Sequence, residues 1–375
     1  MRVCLDIQAA LGQRAGVGRY ARELARHLPA AAGEGDEVRG FCFDFSRKGT
    51  AEAAPGMDVT ACRWCPGRVA QQLWKRVGWP PYPAFAGKAD VYHFPNFIRP
   101  PMGRSKAKTV VTIHDVSFLR MPETTEEKNL AWLRAGIFKT AKEADAILTD
   151  SEFSAREICE TLDVAPEKVT ATWLGLPPLS EAEDGAEAAK LRAEMGLTRP
   201  YLLMVGTLEP RKNIPFLVKV FEEMRGFDGD LALVGGLGWK TEPILEAIAG
   251  SKRAGSIKRL SHIPDAALAA AYAGASAFVF PSRYEGFGLP PLEAMARGTP
   301  VVCARNSSLP EVLGEAAEWV DGWDAGEWAS KIESVVGSEG RRTELKEAGL
   351  ERAKLFKWEE TAKQTWEVYR KVAER

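Results

Sequence analysis

At 375 residues the chain is long enough for two domains of ordinary size, and a hydrophobic content of 45% excludes a disordered chain. A formal net charge of −1 gives no reason to expect nucleic acid as a partner. Six cysteines are scattered mostly through apolar runs, as buried reduced thiols are, and the lone Cys62-Arg-Trp-Cys65 has no histidine near it to complete a zinc site.

The N-terminus enters a strand over residues 3–7 with no signal-peptide pattern, and no apolar run approaches a membrane span. A cytoplasmic protein is expected. A glycine loop follows, Ala10 to Tyr20 with Gly16-Val-Gly18-Arg19 at its centre, and runs into an amphipathic helix over residues 20–28. The loop lacks the full GxGxxG spacing, so dinucleotide binding is not expected. Strands are predicted at 37–45, ending at Asn96, at 108–114, at 146–149 and at 169–174. Helices are predicted at 69–77, 126–142 and 152–162, the last capped by Asp150-Ser151. Gly175-Leu-Pro-Pro178 breaks the pattern, and the domain boundary is placed near Pro178.

An acidic, Ala-rich stretch then carries a helix over residues 186–195. A second series follows: strand 201–205, the loop Gly206-Thr-Leu-Glu209-Pro-Arg211-Lys212-Asn213, helix 216–224, strand 231–234, a glycine loop, helix 242–249 and strand 257–260. Residues 276–280 form a short aromatic strand stopped by Pro281 and Ser282. Gly286 and Gly288 loosen the next loop, Pro290 and Pro291 suit a helix's first turn, and strand 299–303 follows the helix. Residues 327–375 read as helices, the last over 358–373. Alternating strands and helices in both halves predict α/β architecture with two parallel, doubly wound sheets.

The chemistry concentrates at strand ends. Arg211 and Lys212 follow a strand directly and offer a bidentate fork and a point charge to a phosphate. Glu285 and Glu293 stand eight positions apart around a glycine loop and a helix start, placed to hold hydroxyls on either side of a bound diphosphate. His114 ends a strand where open α/β sheets bind ligands, and no G-x-S-x-G elbow supports a hydrolase triad around it. Each has a plainer alternative: solvated glutamates, a basic turn, a satisfied buried histidine.

Together these motifs resemble the family 4 glycosyltransferases, retaining enzymes that use nucleotide-sugars. Glu285 and Glu293 around Gly286-Phe287-Gly288 match the family's paired glutamates. Gly16-Val-Gly18-Arg19-Tyr20 matches its Gly-Ile-Gly-Arg-Tyr pattern with Val17 in place of Ile. The resemblance spans nearly the whole chain and implies the GT-B fold, two Rossmann-like domains facing each other across a cleft. Residues 1–178 would form the acceptor side, with 358–375 crossing back to it, and 179–357 the donor side.

The resemblance also implies roles. Arg211 and Lys212, after Gly206, would hold the diphosphate, Glu293 the ribose and Glu285 the transferred sugar. Backbone of Gly286, Phe287, Gly288 and Leu289 would serve phosphates and sugar hydroxyls, with Ser282 nearby. His262 and Ile263 would meet the base, although Leu-Ser-His stands where many relatives have Leu-Gly-Tyr or Leu-Gly-His. Gly16, Gly18 and Arg19 would face diphosphate and acceptor, and His114 the donor sugar. No metal and no cofactor are expected. GDP-mannose is the first choice of donor, from the Gly206 to Asn213 loop and His-Asp-Val-Ser-Phe, and a glycan or lipid-linked glycan the expected acceptor. A UDP-sugar donor, a sugar-nucleotide epimerase and a non-catalytic binding protein of the same fold stay open.

Residues 63–85 interleave Arg63, Arg68, Lys75 and Arg76 with Trp64, Leu73, Trp74, Trp79, Tyr82 and Phe85. Reversible contact with the inner face of the cytoplasmic membrane is one reading; packing of the aromatics under the core is the other.

Overall fold

The computed structural model describes residues 1–12, 16–47, 54–176, 185–261 and 263–375. Pro178, where the domain boundary is expected, and His262 lie outside the described residues. The chain forms two compact units. One comprises Met1–Leu119, Lys128–Gly175 and Lys357–Arg375; the other comprises Arg120–Glu127 and Leu176–Phe356.

The first unit is built on strands β1 (Arg2–Asp6), β2 (Glu37–Phe43), β3 (Asp58–Cys62), β4 (Val91–Phe94), β5 (Lys108–Thr112), β6 (Ala146–Thr149) and β7 (Val169–Ala171). They form one parallel sheet in the order β3-β2-β1-β4-β5-β6-β7. The middle strands are apolar on both faces because helices cover both sides. The C-terminal helix Trp358–Ala373 belongs to this unit. Its buried Trp358 meets the Tyr20 ring, and its Thr361 hydroxyl donates to the Trp173 carbonyl.

The second unit holds β8 (Tyr201–Val205), β9 (Asp230–Val234), β10 (Ile257–Leu260), β11 (Ala277–Phe280), β12 (Val301–Ala304) and β13 (Glu318–Val320), all parallel, in the order β10-β9-β8-β11-β12-β13. In both sheets the strand order reverses beside the first strand of the unit. That reversal opens the loops after β1 and β4, and those after β8 and β11, to a ligand.

Elements too short or too uniform to show a period account for the differences from expectation. β3 and β13 are brief edge strands, and six of the nine residues of the helix Asp265–Ala273 are alanine. The first glycine loop is partly helical, with a turn at Gln8–Gly12, and the next helix, Val17–Ala31, starts ahead of Tyr20 at the N-cap Gly16. In the basic, aromatic stretch, Tyr82 is buried and Trp74 and Phe85 pack against the same core. Those three aromatics are therefore core residues and not part of a membrane face. Among the described residues no helix is long and apolar enough to cross a membrane.

Candidate active site

Gly206 follows β8 at φ 150°, beside Gly235, where a Cβ would stand 2.0 Å from the Gly206 carbonyl oxygen. Only glycine at 235 lets these two strand ends lie side by side, a requirement that local sequence does not reveal. The chain then makes a tight turn at Pro210–Lys212, Asn213 takes the left-handed conformation, and the helix Ile214–Glu223 begins. This turn sets Arg211 and Lys212 against the loop that follows β11. The Arg283 N–H donates to the Arg211 carbonyl at 2.9 Å, and the Arg211 guanidinium donates to the Tyr284 carbonyl.

The side chains close on Glu285. Its Oε1 lies 2.6 Å from Lys212 Nζ and 2.9 Å from Arg211 Nη1, and accepts from the Ser282 hydroxyl as well. Arg211 Nη2 donates to Glu209 Oε1 at 2.6 Å, and Lys212 Nζ stands 4.7 Å over the Phe280 ring. Lys212 and Glu285 are each only 6% exposed. Burial alone pushes the Glu285 carboxyl up, but the two cations and the donated hydrogen bonds outweigh it and hold the acid down at about 2. Burial lowers the Lys212 ammonium, and Glu285 opposes that shift without cancelling it.

Behind the cluster, Gly288 at φ 105° caps the helix Leu289–Ala296, with Pro290 and Pro291 in its first turn. A Cβ at Gly288 would lie 2.6 Å from Leu309 Cδ2, so the turn cannot take another residue without displacing that core side chain. The Ser308 hydroxyl donates to the carbonyls of Glu285 and Phe287 at 2.8 and 3.0 Å. Ser307 Oγ accepts from the Glu285 N–H, and Asn306 Nδ2 donates to the Ser282 carbonyl. Sequence reading passed over this Asn-Ser-Ser run, whose one signal is its place after strand β12. Gly286 and Phe287 are buried within the loop. Glu293, on the helix, is buried and its Oε2 accepts from the Tyr272 hydroxyl at 2.8 Å. Tyr272, hidden in an alanine-rich run, was also missed.

Ile263 follows the edge strand β10, two strands away from β8, and His262 lies outside the described residues. The chain holds one Asp-x-Asp, Asp228-Gly229-Asp230, a pattern that elsewhere ligates metals. Here it stands at the opposite, N-terminal end of β9. Arg199 takes both carboxylates, Asp230 at 3.1 Å.

In the first unit the C-terminal ends of β4, β5 and β6 converge on His114. Its Nδ1 donates to Asp150 Oδ2 at 2.9 Å, and its Nε2 faces the Pro95 carbonyl at 3.2 Å. Both partners are acceptors, so the arrangement is satisfied by the doubly protonated ring. Burial opposes that charge, but Asp150, the Pro95 carbonyl and Asp115 together raise the His114 pKa above its usual value. Tyr20 meets the ring edge-on, and its hydroxyl joins a buried chain through Thr112 and His93 to Tyr369 of the C-terminal helix. Burial, helped by the nearby His114 charge, keeps His93 neutral with its pKa near 3. Gly16 caps the helix at φ 56°, Gly18 is buried in its first turn, and Arg19 is half-buried beside it. Arg211, Lys212, Ser282 and Glu285 thus form one cluster, Gly206 lies beside Lys212, and Glu293 stands on the helix after the cluster's loop; His114 and the Gly16–Arg19 turn belong to the first unit.

Residues 188–352 match the family model described as "Glycosyl transferases group 1", and residues 14–177 match "Glycosyltransferase Family 4". The O-antigen chain mannosyltransferase B of Escherichia coli is 34% identical over 288 residues, spanning 76% of this chain and 74% of that protein. Among solved structures, sucrose-phosphate synthase of Thermosynechococcus elongatus superposes with a TM-score of 0.74 at 21% identity, over 99% of both chains. Anabaena HepE, solved with UDP and glucose, gives 0.72 at 16% identity over 99% of this chain and all of that one. These structural neighbours share the GT-B fold. Two parallel Rossmann-like sheets, two family models covering successive halves and a relative matched over most of its length agree, and the chain belongs to the family 4 glycosyltransferases.

Proposed function

We propose that the enzyme moves a hexose, with mannose from GDP-mannose as first choice, onto a glycan or lipid-linked acceptor in cell-surface polysaccharide synthesis. In this reading transfer proceeds with retention, without a bound metal, on the cytoplasmic side of the membrane. The observation that carries it is the buried Arg211–Lys212–Glu285 cluster at the strand reversal of the second unit. It puts two cations where a diphosphate would lie, and Glu285 occupies them until the donor arrives. The similarity to an O-antigen mannosyltransferase supports mannose and a polysaccharide product.

The chemistry follows from charge. As the bond from the sugar's anomeric carbon to the phosphate oxygen breaks, negative charge grows on the diphosphate, and fixed cations lower that barrier. Arg211 and Lys212 pass from Glu285 to the phosphates, and the released carboxylate accepts from sugar hydroxyls. The acceptor oxygen bonds to the anomeric carbon on the face the phosphate leaves, and its proton goes to a phosphate oxygen. Glu293, oriented by Tyr272, takes the ribose hydroxyls. His114 is held through Nδ1 by Asp150, which favours the charged ring and raises its pKa.

A thermal-shift panel of GDP, UDP and ADP tests the donor. A ligand at a hundredfold excess over its Kd adds roughly 2.7 kcal/mol of stability, a shift of several degrees. GDP is expected to stabilise most; a larger shift with UDP makes the enzyme UDP-sugar-dependent. Release of GDP from GDP-mannose only when an acceptor glycan is present, unaffected by EDTA, is the expected assay result. Release without acceptor or no release at all overturns transfer, and loss with EDTA overturns metal independence. An inverted anomeric linkage in the product overturns retention.

A further inference from the structure

The described residues expose ten large hydrophobic side chains, and six of these fall between Phe45 and Trp79. Over the same region, residues 59–89 carry Arg63, Arg68, Lys75, Arg76 and Lys88 and no aspartate or glutamate. In a protein of net charge −1 this clustering marks a surface of its own.

The helix Gly67–Val77 organises it. Ala70 and Trp74, four apart, turn inward: Ala70 is fully buried, and Trp74 donates through Nε1 to the Pro80 carbonyl at 2.6 Å and meets the rings of Phe43 and Phe85. Val69, Leu73 and Val77 form the next stripe around the helix and stay 48%, 38% and 65% exposed. Arg68, Gln72 and Arg76 form the stripe beside that one, with Lys75 adjoining, and all are exposed. Trp64, 72% exposed, precedes the helix and stacks one face on Phe85; Trp79, 67% exposed, follows it after the Gly78 cap. The helix is therefore fixed to the core along one line, with an apolar stripe, a basic stripe and a tryptophan at each end facing outward.

We propose that this face docks the enzyme reversibly on an anionic lipid bilayer. Trp64 and Trp79 would sit at headgroup depth, Val69, Leu73 and Val77 at the acyl boundary, and Arg68, Lys75 and Arg76 against lipid phosphates. Charge decides the occupant. A second copy docking by the same face would bring the cations of two Gly67–Val77 helices together, whereas an anionic bilayer meets them with the opposite sign. The proposal stands on this surface and not on the reaction, so it is tested without donor or acceptor.

The full-length protein is floated with vesicles of phosphatidylcholine alone and of phosphatidylcholine with phosphatidylglycerol, at low and high salt. Binding is expected only to the phosphatidylglycerol vesicles and is expected to weaken with salt. Each exposed cation removed should weaken it about fivefold, so Arg68→Ala with Arg76→Ala together cost about 25-fold. Trp64→Ser with Trp79→Ser should abolish flotation, while Trp323→Ser, an exposed tryptophan of the second unit, should leave it unchanged. All these side chains are exposed, so unchanged melting temperatures confirm folding. The proposal is overturned if the protein does not float at low salt, or if the paired variants float like the parent. It is also overturned if a concentration-dependent dimer lost in Trp64→Ser/Trp79→Ser shows that a second copy covers the face. None of these outcomes bears on glycosyl transfer, which is assayed separately.

Discussion

Lys212 Nζ and Glu285 Oε1 lie 2.6 Å apart although 73 positions separate them in sequence, and water reaches neither side chain appreciably. A buried ion pair is costly to form and costlier to halve, because removing one partner strands the other charge. In this enzyme the pair also puts a carboxylate where the proposed reaction brings a phosphate.

Lys212→Ala and Arg211→Ala are each expected to lower turnover about a hundredfold, near 3 kcal/mol of barrier, through loss of one contact to the leaving diphosphate. Lys212→Ala should also destabilise the fold by roughly 3 kcal/mol, because Glu285 stays buried with one cation fewer. Arg211 is more exposed and should cost less stability. Steady-state kinetics with urea unfolding separate the two effects. Activity near the parent's in either variant removes that residue from the site. If the double variant Lys212→Ala/Glu285→Ala loses the sum of the two stability effects, the pair is not coupled.

Glu293→Ala should weaken binding of GDP alone, whereas Glu285→Ala should slow transfer and leave GDP affinity unchanged or tighter. In the proposed reaction Glu293 takes the ribose, whereas Glu285 holds the two cations that the phosphates would take. Tyr272→Phe removes the hydrogen bond that orients Glu293 and should weaken GDP by about tenfold or less, near 1 kcal/mol. Calorimetry reads all three. Equal losses of affinity in both glutamate variants would end this division of labour.

Strand ends were the legible part of the chain. Glycine or proline directly follows β4, β8, β9 and β11, so Gly206, Arg211, Lys212, Glu285 and Glu293 are recognisable as loop or helix-start residues from local pattern. What holds them was not legible. The Lys212–Glu285 pair needs three crossovers to form, Tyr272 sits in an alanine-rich run, and Ser307 and Ser308 act from after a different strand. Asp150 is instructive. Read with Ser151 as a helix cap, it proves to be half of that reading: Ser151 Oγ accepts from the Ser154 N–H, while Asp150 turns to His114. Likewise the tryptophans of residues 63–85 cannot be sorted by composition, because only the packing of Trp74 under its helix shows which rings face outward.

The depressed acidity of Glu285 makes an acid-side prediction. Its folded pKa is about 2 against an ordinary 4.5, so its stabilisation is present above about 4.5 and is lost as pH falls from there towards 2. Glu285→Gln should remove that part of the acid sensitivity. Thermal unfolding between about pH 5 and about pH 3 compares the two proteins; curves of identical slope would mean that the buried cations do not hold the carboxylate.

The His114–Asp150 pair makes the opposite prediction. Asp150 faces His114 from the end of β6, the Pro95 carbonyl from the end of β4, and Asp115 from its own strand end, while buried His93 beside it is neutral. Folding therefore raises the His114 pKa. A group raised on folding stabilises fully below its unfolded value, about 6.5, and that stabilisation is lost as pH rises through the folded value. Asp150→Asn keeps the shape and removes the charge, so the His114 pKa should fall and the alkaline loss of stability should flatten. Nitrogen NMR of the ring should show both nitrogens protonated at neutral pH in the parent and one in Asp150→Asn. A parent ring with a single proton at neutral pH would show that His114 is neutral and that Asp150 does not hold its charge.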